Sequence, residues 1–222
     1  MNLTAHALLF DMDGTLVDST VVVERTWHAF AERHGLDGDA VLASAHGRRT
    51  AETVAAHAPA GIDLQAETTR IEADEVLATD GVVAVAGAAE LLAQIPAGGW
   101  ALVTSASRAL AESRMGAAGL AMPLEVISAD DVRNGKPDPE GYLAAAERLG
   151  VDARQAIVLE DARAGIEAGL ASGAQVLVIG AHAGPSADGL PRIPDFRGVS
   201  VEPAADGQLR LRRVGLPGNG GS

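Results

Sequence analysis

Cysteine is absent from all 222 residues, so disulfides and thiolate chemistry are excluded at the outset. Long apolar runs are missing too. None approaches the roughly 18 residues that a bilayer-spanning helix needs, so no membrane partner is expected. Met1-Asn2-Leu3-Thr4-Ala5-His6 lacks a basic stretch ahead of a long apolar core, and the expectation is a cytoplasmic protein without a secretory signal. Positive charge is scarce: 17 Lys and Arg stand against 30 Asp and Glu, a net charge of −13. That balance argues against nucleic acid or an anionic membrane surface as partner, since both require a basic footprint. It also repels phosphorylated metabolites. An anionic substrate would need a locally positive site built from a metal, a few cations and backbone N–H groups. Lysine is the scarcest cation, with Lys136 alone beside sixteen arginines. A cramped site that wants a compact point charge cannot take a planar guanidinium, which makes that single lysine a candidate.

What is present is a soluble globular composition, 47% hydrophobic and 21% charged, in a chain long enough to bury a full core. Apolar runs that read as strands recur at 7–10, 100–103, 126–127, 156–159 and 176–179. Helical stretches at 109–117, 140–149 and 164–172 lie between the later ones, the middle one begun by Pro139. Strand alternating with helix predicts an α/β fold, a Rossmann-like parallel sheet with helices on both faces. The rhythm breaks after the first strand. Val23, Trp27, Phe30 and Ala31 follow a helical period, and 51–57 and 64–78 look helical as well. This predicts an inserted α-helical cap domain, residues 18–81, on a core formed by residues 1–17 and 82–222. Its hinges are expected at 17–20 and 80–87. An edge strand or hairpin is expected around 199–211, then a loose end at 218–222.

The stretch Asp11-Met12-Asp13-Gly14-Thr15 sets two carboxylates two residues apart where the first apolar strand ends. Asp and Gly are common turn residues. The C-terminal end of a buried strand is also where open α/β sheets bind their ligands. Acids so close repel unless a cation or a proton settles them, and a divalent metal would leave one free to attack and the other to donate. Three later segments could join them. Thr104-Ser105-Ala106 follows a second core strand, where Ser105 could hydrogen-bond a phosphoryl oxygen or cap a helix. Gly135-Lys136-Pro137-Asp138-Pro139 carries the lone lysine ahead of a helix, and Glu160-Asp161 ends another strand, where it could cap a helix or ligate Mg2+.

The D-x-D-G-T string, with these three segments in order, resembles the haloacid dehalogenase-like hydrolases, in the subfamily with an α-helical cap after the first strand. The resemblance covers about residues 7–179 and implies roles. Asp11 is then the nucleophile that forms an aspartyl-phosphate, and Asp13 the general acid and base. Ser105 and the N–H of Ala106 hold the phosphoryl group, and Lys136 offsets charge on Asp11. Mg2+ is held by Asp11, the backbone carbonyl of Asp13, and Asp161, with Glu160 acting through water.

The family hosts several chemistries, so the reaction follows from particular residues. Dehalogenases of the superfamily lack the second acid, which Asp13 supplies here, and phosphonatases need a cap lysine that this chain lacks. His46-Gly47-Arg48-Arg49-Thr50 resembles the H-G-x-R-T run of sugar and polyol phosphatases, which implies that Arg49, Arg48 and His46 face the substrate. The expectation is therefore a monomeric Mg2+-dependent phosphatase of small phosphorylated sugars or polyols. A β-phosphoglucomutase-like sugar phosphomutase is the alternative, and a coupled assay with a bisphosphate separates the two.

Overall fold

A computed structural model describes residues 1–213; the expected loose end at 218–222 lies outside the described residues. The fold is α/β. Six parallel strands form the central sheet in the order β6-β5-β2-β7-β8-β9: β2 (Ala7–Phe10), β5 (Trp100–Val103), β6 (Glu125–Ile127), β7 (Ala156–Glu160), β8 (Gln175–Ile179) and β9 (Arg192–Ile193). β2, β5 and β7 are buried along their whole length, as expected of strands covered on both faces. Alternate residues feed two cores. Leu8, Phe10, Leu102 and Leu159 pack on one face, and Leu9, Val103, Val158 and Tyr142 on the other. Helices α5 (Ala88–Leu92), α6 (Arg108–Ala117), α7 (Glu140–Arg148) and α8 (Arg163–Ala171) cover the sheet.

The register sets the site. Phe10 lies opposite Leu102 on one side and Leu159 on the other, so β2, β5 and β7 end at one level. The residues that follow them therefore emerge together. The chain leaves β2 for one half of the sheet and returns for the other half, which makes this crest the topological switch point.

Between β2 and β5 stands a helical block of α1 (Thr20–His34), α2 (Gly38–Ala45), α3 (Thr50–His57) and α4 (Leu64–Leu77). It has its own core, in which Trp27, Phe30, Val41, Val54 and Ile71 meet, with the Trp27 and Phe30 rings edge to face at 5.8 Å. The short helix α2 departs from the sequence expectation. Its start is set by Asp37, whose side chain accepts from the N–H groups of Asp39 and Ala40, and only Val41 and Ala45 are buried, too few for a visible period. The connections on either side of the block pair as a two-stranded antiparallel ribbon, β3 (Val17–Asp18) with β4 (Val83–Ala84).

A second sheet, unforeseen in part, joins β1 (Asn2–Ala5) to the hairpin of β10 (Val199–Pro203) and β11 (Leu209–Arg213), β11 lying between the other two. The hairpin falls where expected. β1 pairs with a segment about two hundred positions away, which no local pattern announces. Among the described residues, no helix is long and apolar enough to cross a membrane.

The turn after β6 is pinned by Asp131, which accepts from the N–H and hydroxyl of Ser128 and from Arg148. Partial burial opposes ionisation there, but these hydrogen bonds outweigh it and hold the Asp131 carboxyl down at about 2. A depressed carboxylate stabilises the fold above the unfolded value near 3.8 and loses that contribution as pH falls toward 2. Asp131→Asn is therefore expected to lower the melting temperature at pH 7, with the gap to the parent closing between pH 4 and about 2. Melting curves across that range check it; a gap that stays constant contradicts the assignment.

Candidate active site

Asp11 follows β2 and is 6% exposed, buried yet able to face the cleft. Lys136 reaches it from the loop before α7, with Nζ 2.5 Å from Asp11 Oδ1, 2.7 Å from Glu160 Oε1 and 3.2 Å from the Val103 carbonyl. Those three bonds use all three protons of the ammonium. Burial works against its charge, but Asp11 and Glu160 outweigh burial and hold Lys136 above the usual lysine range. Asp11 moves the other way. Burial, with the charges of Glu160 and Asp13, pushes it up to about 8 in spite of Lys136.

Glu160 is fully buried, and every bond to it is internal. Oε1 accepts from Lys136 and from the Tyr142 hydroxyl at 2.8 Å, and Oε2 accepts from the N–H groups of Asp161 and Ala162. Its first task is thus to hold Lys136 and the turn into α8. Asp161 is differently placed. The N-cap of α8 is Ala162, so Asp161 is not the capping residue, and its Oδ1 accepts from Thr15 at 3.3 Å. Burial, then Asp11 and Glu160, raise Asp161 well above the usual carboxylate range.

Asp11, Glu160 and Asp161 each offer an oxygen within 4.8 Å of the others, a cluster that could hold a metal ion. The donors are hard oxygens, the chemistry that suits Mg2+ or a similar cation. Two raised carboxyls side by side also call for a counter-charge beyond Lys136. Gly14 completes the cradle. Its φ is +83°, and a Cβ there would come within 2.0 Å of Asp161 Oδ2, so only glycine lets this carboxylate lie over the turn.

Above these residues opens a cleft of about 820 Å³, its mouth included. Asp11, Asp13, Asp161, Ser105, Ala106, His46 and Arg48 all line it, which brings most of the expected residues together. Ser105 does not cap α6; that falls to Ser107. The Ser105 hydroxyl instead donates to the Gly47 carbonyl at 2.9 Å, joining the α2–α3 turn to the sheet crest. Gly47 has φ +73° and sits so near Ala162 that a Cβ would approach it to 2.9 Å. Arg49 does not line this cleft, but a smaller pocket that it shares with Ser105 and Lys136. Its guanidinium donates to the Val132 and Arg133 carbonyls and packs beside Gly135, behind the loop that carries Lys136.

Several lining residues had no sequence signal. Asp13 accepts from Ser19 Oγ at 2.6 Å and from Arg114 Nη1 at 2.9 Å, and Arg114 also meets Glu75 of α4. An arginine or glutamate on a helix reads from sequence as a solvated charge. Ser19 was more legible, since it stands at the start of α1, where a hydroxyl caps, yet it is spent on Asp13.

Residues 5–173 match the family profile of haloacid dehalogenase-like hydrolases. The chain is similar to hexitol phosphatase A of Escherichia coli, 44% identical over 180 residues, covering 79% of this chain and 83% of that one. It is also similar to glycerol-1-phosphate phosphohydrolase 2 of Saccharomyces cerevisiae, 33% identical over 193 residues, covering 81% and 76%. Among solved structures it resembles CbbY from Rhodobacter sphaeroides in complex with phosphate, with a TM-score of 0.72 at 23% identity over 86% and 95% of the two chains, a likeness of fold.

Gly165 provides a test of the buried network. A Cβ there would lie 1.5 Å from Glu160 Oε1, so Gly165→Ala must push the carboxylate off Lys136. We expect a stability loss of about 1–3 kcal/mol, the usual cost of overpacking, read by denaturant unfolding. A variant as stable as the parent would show that Glu160 is not held as described.

Proposed function

The chain belongs to the haloacid dehalogenase-like hydrolases, in their sugar and polyol phosphatase branch, and we propose that it is a Mg2+-dependent phosphatase working through an aspartyl-phosphate on Asp11. The observation that carries this reading is the meeting of Asp11, Lys136 and Asp161 at the crest of the sheet, beneath a cleft that Asp11, Asp13, Ser105 and Asp161 line.

Asp11, the Asp13 backbone carbonyl and Asp161 would hold Mg2+, with Glu160 contributing through water because its own oxygens are committed. When bound, the ion neutralises Asp11 and the phosphoryl oxygens so that two anions can approach. Everything else is done by this chain. A carboxylate oxygen of Asp11 attacks phosphorus, and the bond from phosphorus to the leaving oxygen breaks. Asp13 gives its proton to that oxygen, which departs as the alcohol, and is left as carboxylate. It then takes a proton from water, whose oxygen attacks phosphorus and releases Asp11 and inorganic phosphate. Lys136, held by Glu160, bears charge at the nucleophile. Ser105 and the N–H of Ala106, which in the structure donate to the Gly47 carbonyl and to Thr104 Oγ1, would be exchanged onto the transferring group when substrate binds.

The helical block, residues 18–81, serves in this reading as a lid over the core formed by residues 1–17 and 82–222. His46 and Arg48 at the cleft wall contact the substrate, and Arg49 fastens the lid to the loop that carries Lys136. The relatives act on hexitol and glycerol phosphates by name, and the expected substrates here are small phosphorylated sugars or polyols of that kind. Asp11→Asn, or removal of Mg2+ by a chelator, is expected to abolish phosphate release from hexitol or glycerol phosphate. Turnover that persists under either condition sinks the proposal.

A further inference from the structure

Arg114 is in the last turn of α6, a position where an arginine is ordinarily solvated, yet it is 3% exposed. Nη1 donates to Asp13 Oδ2 at 2.9 Å, and Nη2 to Glu75 Oε1 at 2.7 Å. Its Nε is buried with no partner among the described residues, so the guanidinium is held by its two ends alone. A buried cation with an unmet donor is costly. Glu75, 4% exposed, belongs to α4 at the far end of the helical block. Beside it, Ser113 Oγ donates to the Val76 carbonyl at 2.7 Å, tying α6 to the same turn. The other Asp13 oxygen accepts from Ser19, where the block begins. One carboxyl group is thus gripped from both ends of the block, directly at its start and through Arg114 at its finish.

We propose that Arg114 is a positioning residue that aims the Asp13 carboxyl, and that Glu75 sets Arg114 in place so that proton transfer is competent only with the helical block seated. This rests on the reading of Asp13 as proton carrier given above. Two donors on different oxygens fix the plane of a carboxyl group, which one donor leaves free to turn. The planar fork of arginine spans Asp13 and Glu75 at once, and a lysine ammonium cannot reach both in that geometry. Only steps in which Asp13 moves a proton depend on this aim. Expulsion of a sugar or polyol alkoxide needs that proton; expulsion of p-nitrophenolate does not.

The test is pre-steady-state kinetics on the Mg2+-loaded full-length enzyme, comparing the parent with R114K, R114Q and E75Q. With p-nitrophenyl phosphate, the burst of p-nitrophenol should keep its rate within about twofold in all three variants. Steady-state turnover of glycerol phosphate should fall about 10- to 100-fold in R114K and R114Q, through kcat rather than KM, the scale of a misplaced catalytic group. E75Q keeps an acceptor for Arg114 but not its charge, and should show the same pattern with a smaller loss. If burst and turnover fall by the same factor, or neither changes, the proposal is overturned. Should the arginine variants fail to fold, E75Q alone decides on the same criteria. Failure of the underlying reading has a separate mark: the parent enzyme itself would then release no phosphate from glycerol or hexitol phosphates.

Discussion

The structure turns on one buried ammonium. Lys136 neutralises Asp11, is itself held by Glu160 and the Val103 carbonyl, and so links three strand ends and the loop before α7 into a single charge network. Without it, the carboxylates of Asp11, Glu160 and Asp161 would crowd together with no ammonium between them. The sheet register that brings β2, β5 and β7 to a common level, the glycines at 14 and 165 that leave room for Asp161 and Glu160, and the Tyr142 hydroxyl on Glu160 are all conditions for that network. An arginine could supply the charge but not the shape, because three acceptors converge on one nitrogen. This gives a physical reason for a chain so rich in arginine to place its single lysine there.

How much was legible from sequence follows from the range of each interaction. Strands buried on both faces are written as continuous apolar runs, so the five foreseen core strands fall where expected, and Asp11, Asp13, Ser105, Lys136 and Asp161 come with the strand ends that precede or adjoin them. Partnerships across the fold are not written locally. β1 finds β11, and Arg114 finds Asp13 and Glu75, only once the sheet and helical block have assembled. Arg49 illustrates the opposite case, a residue with a strong local motif. The turn that brings His46 and Arg48 to the cleft carries the next side chain toward the carbonyls of residues 132 and 133 instead.

Several contacts between the helical block and the rest of the molecule end at residues of the site or next to them. Gly47 reaches Ser105, Arg49 reaches the loop of Lys136, and Glu75 reaches Arg114. The position of the helical block is therefore registered at Ser105, at the loop of Lys136 and, through Arg114, at Asp13. The ribbon of β3 and β4 holds the two connections side by side, as a narrow strap instead of two independent tethers.

The pairing of β1 with β11 has a mechanical meaning. Asn2 lies opposite Arg212 and Ala5 opposite Leu209, so both ends of the described chain leave from the same end of one antiparallel ladder. A force drawing those ends apart would open the ladder bond by bond, as a zipper opens, instead of shearing all its bonds at once. The small sheet would then yield first, at low force, while the parallel sheet that carries Asp11 and Lys136 stayed shielded from the load.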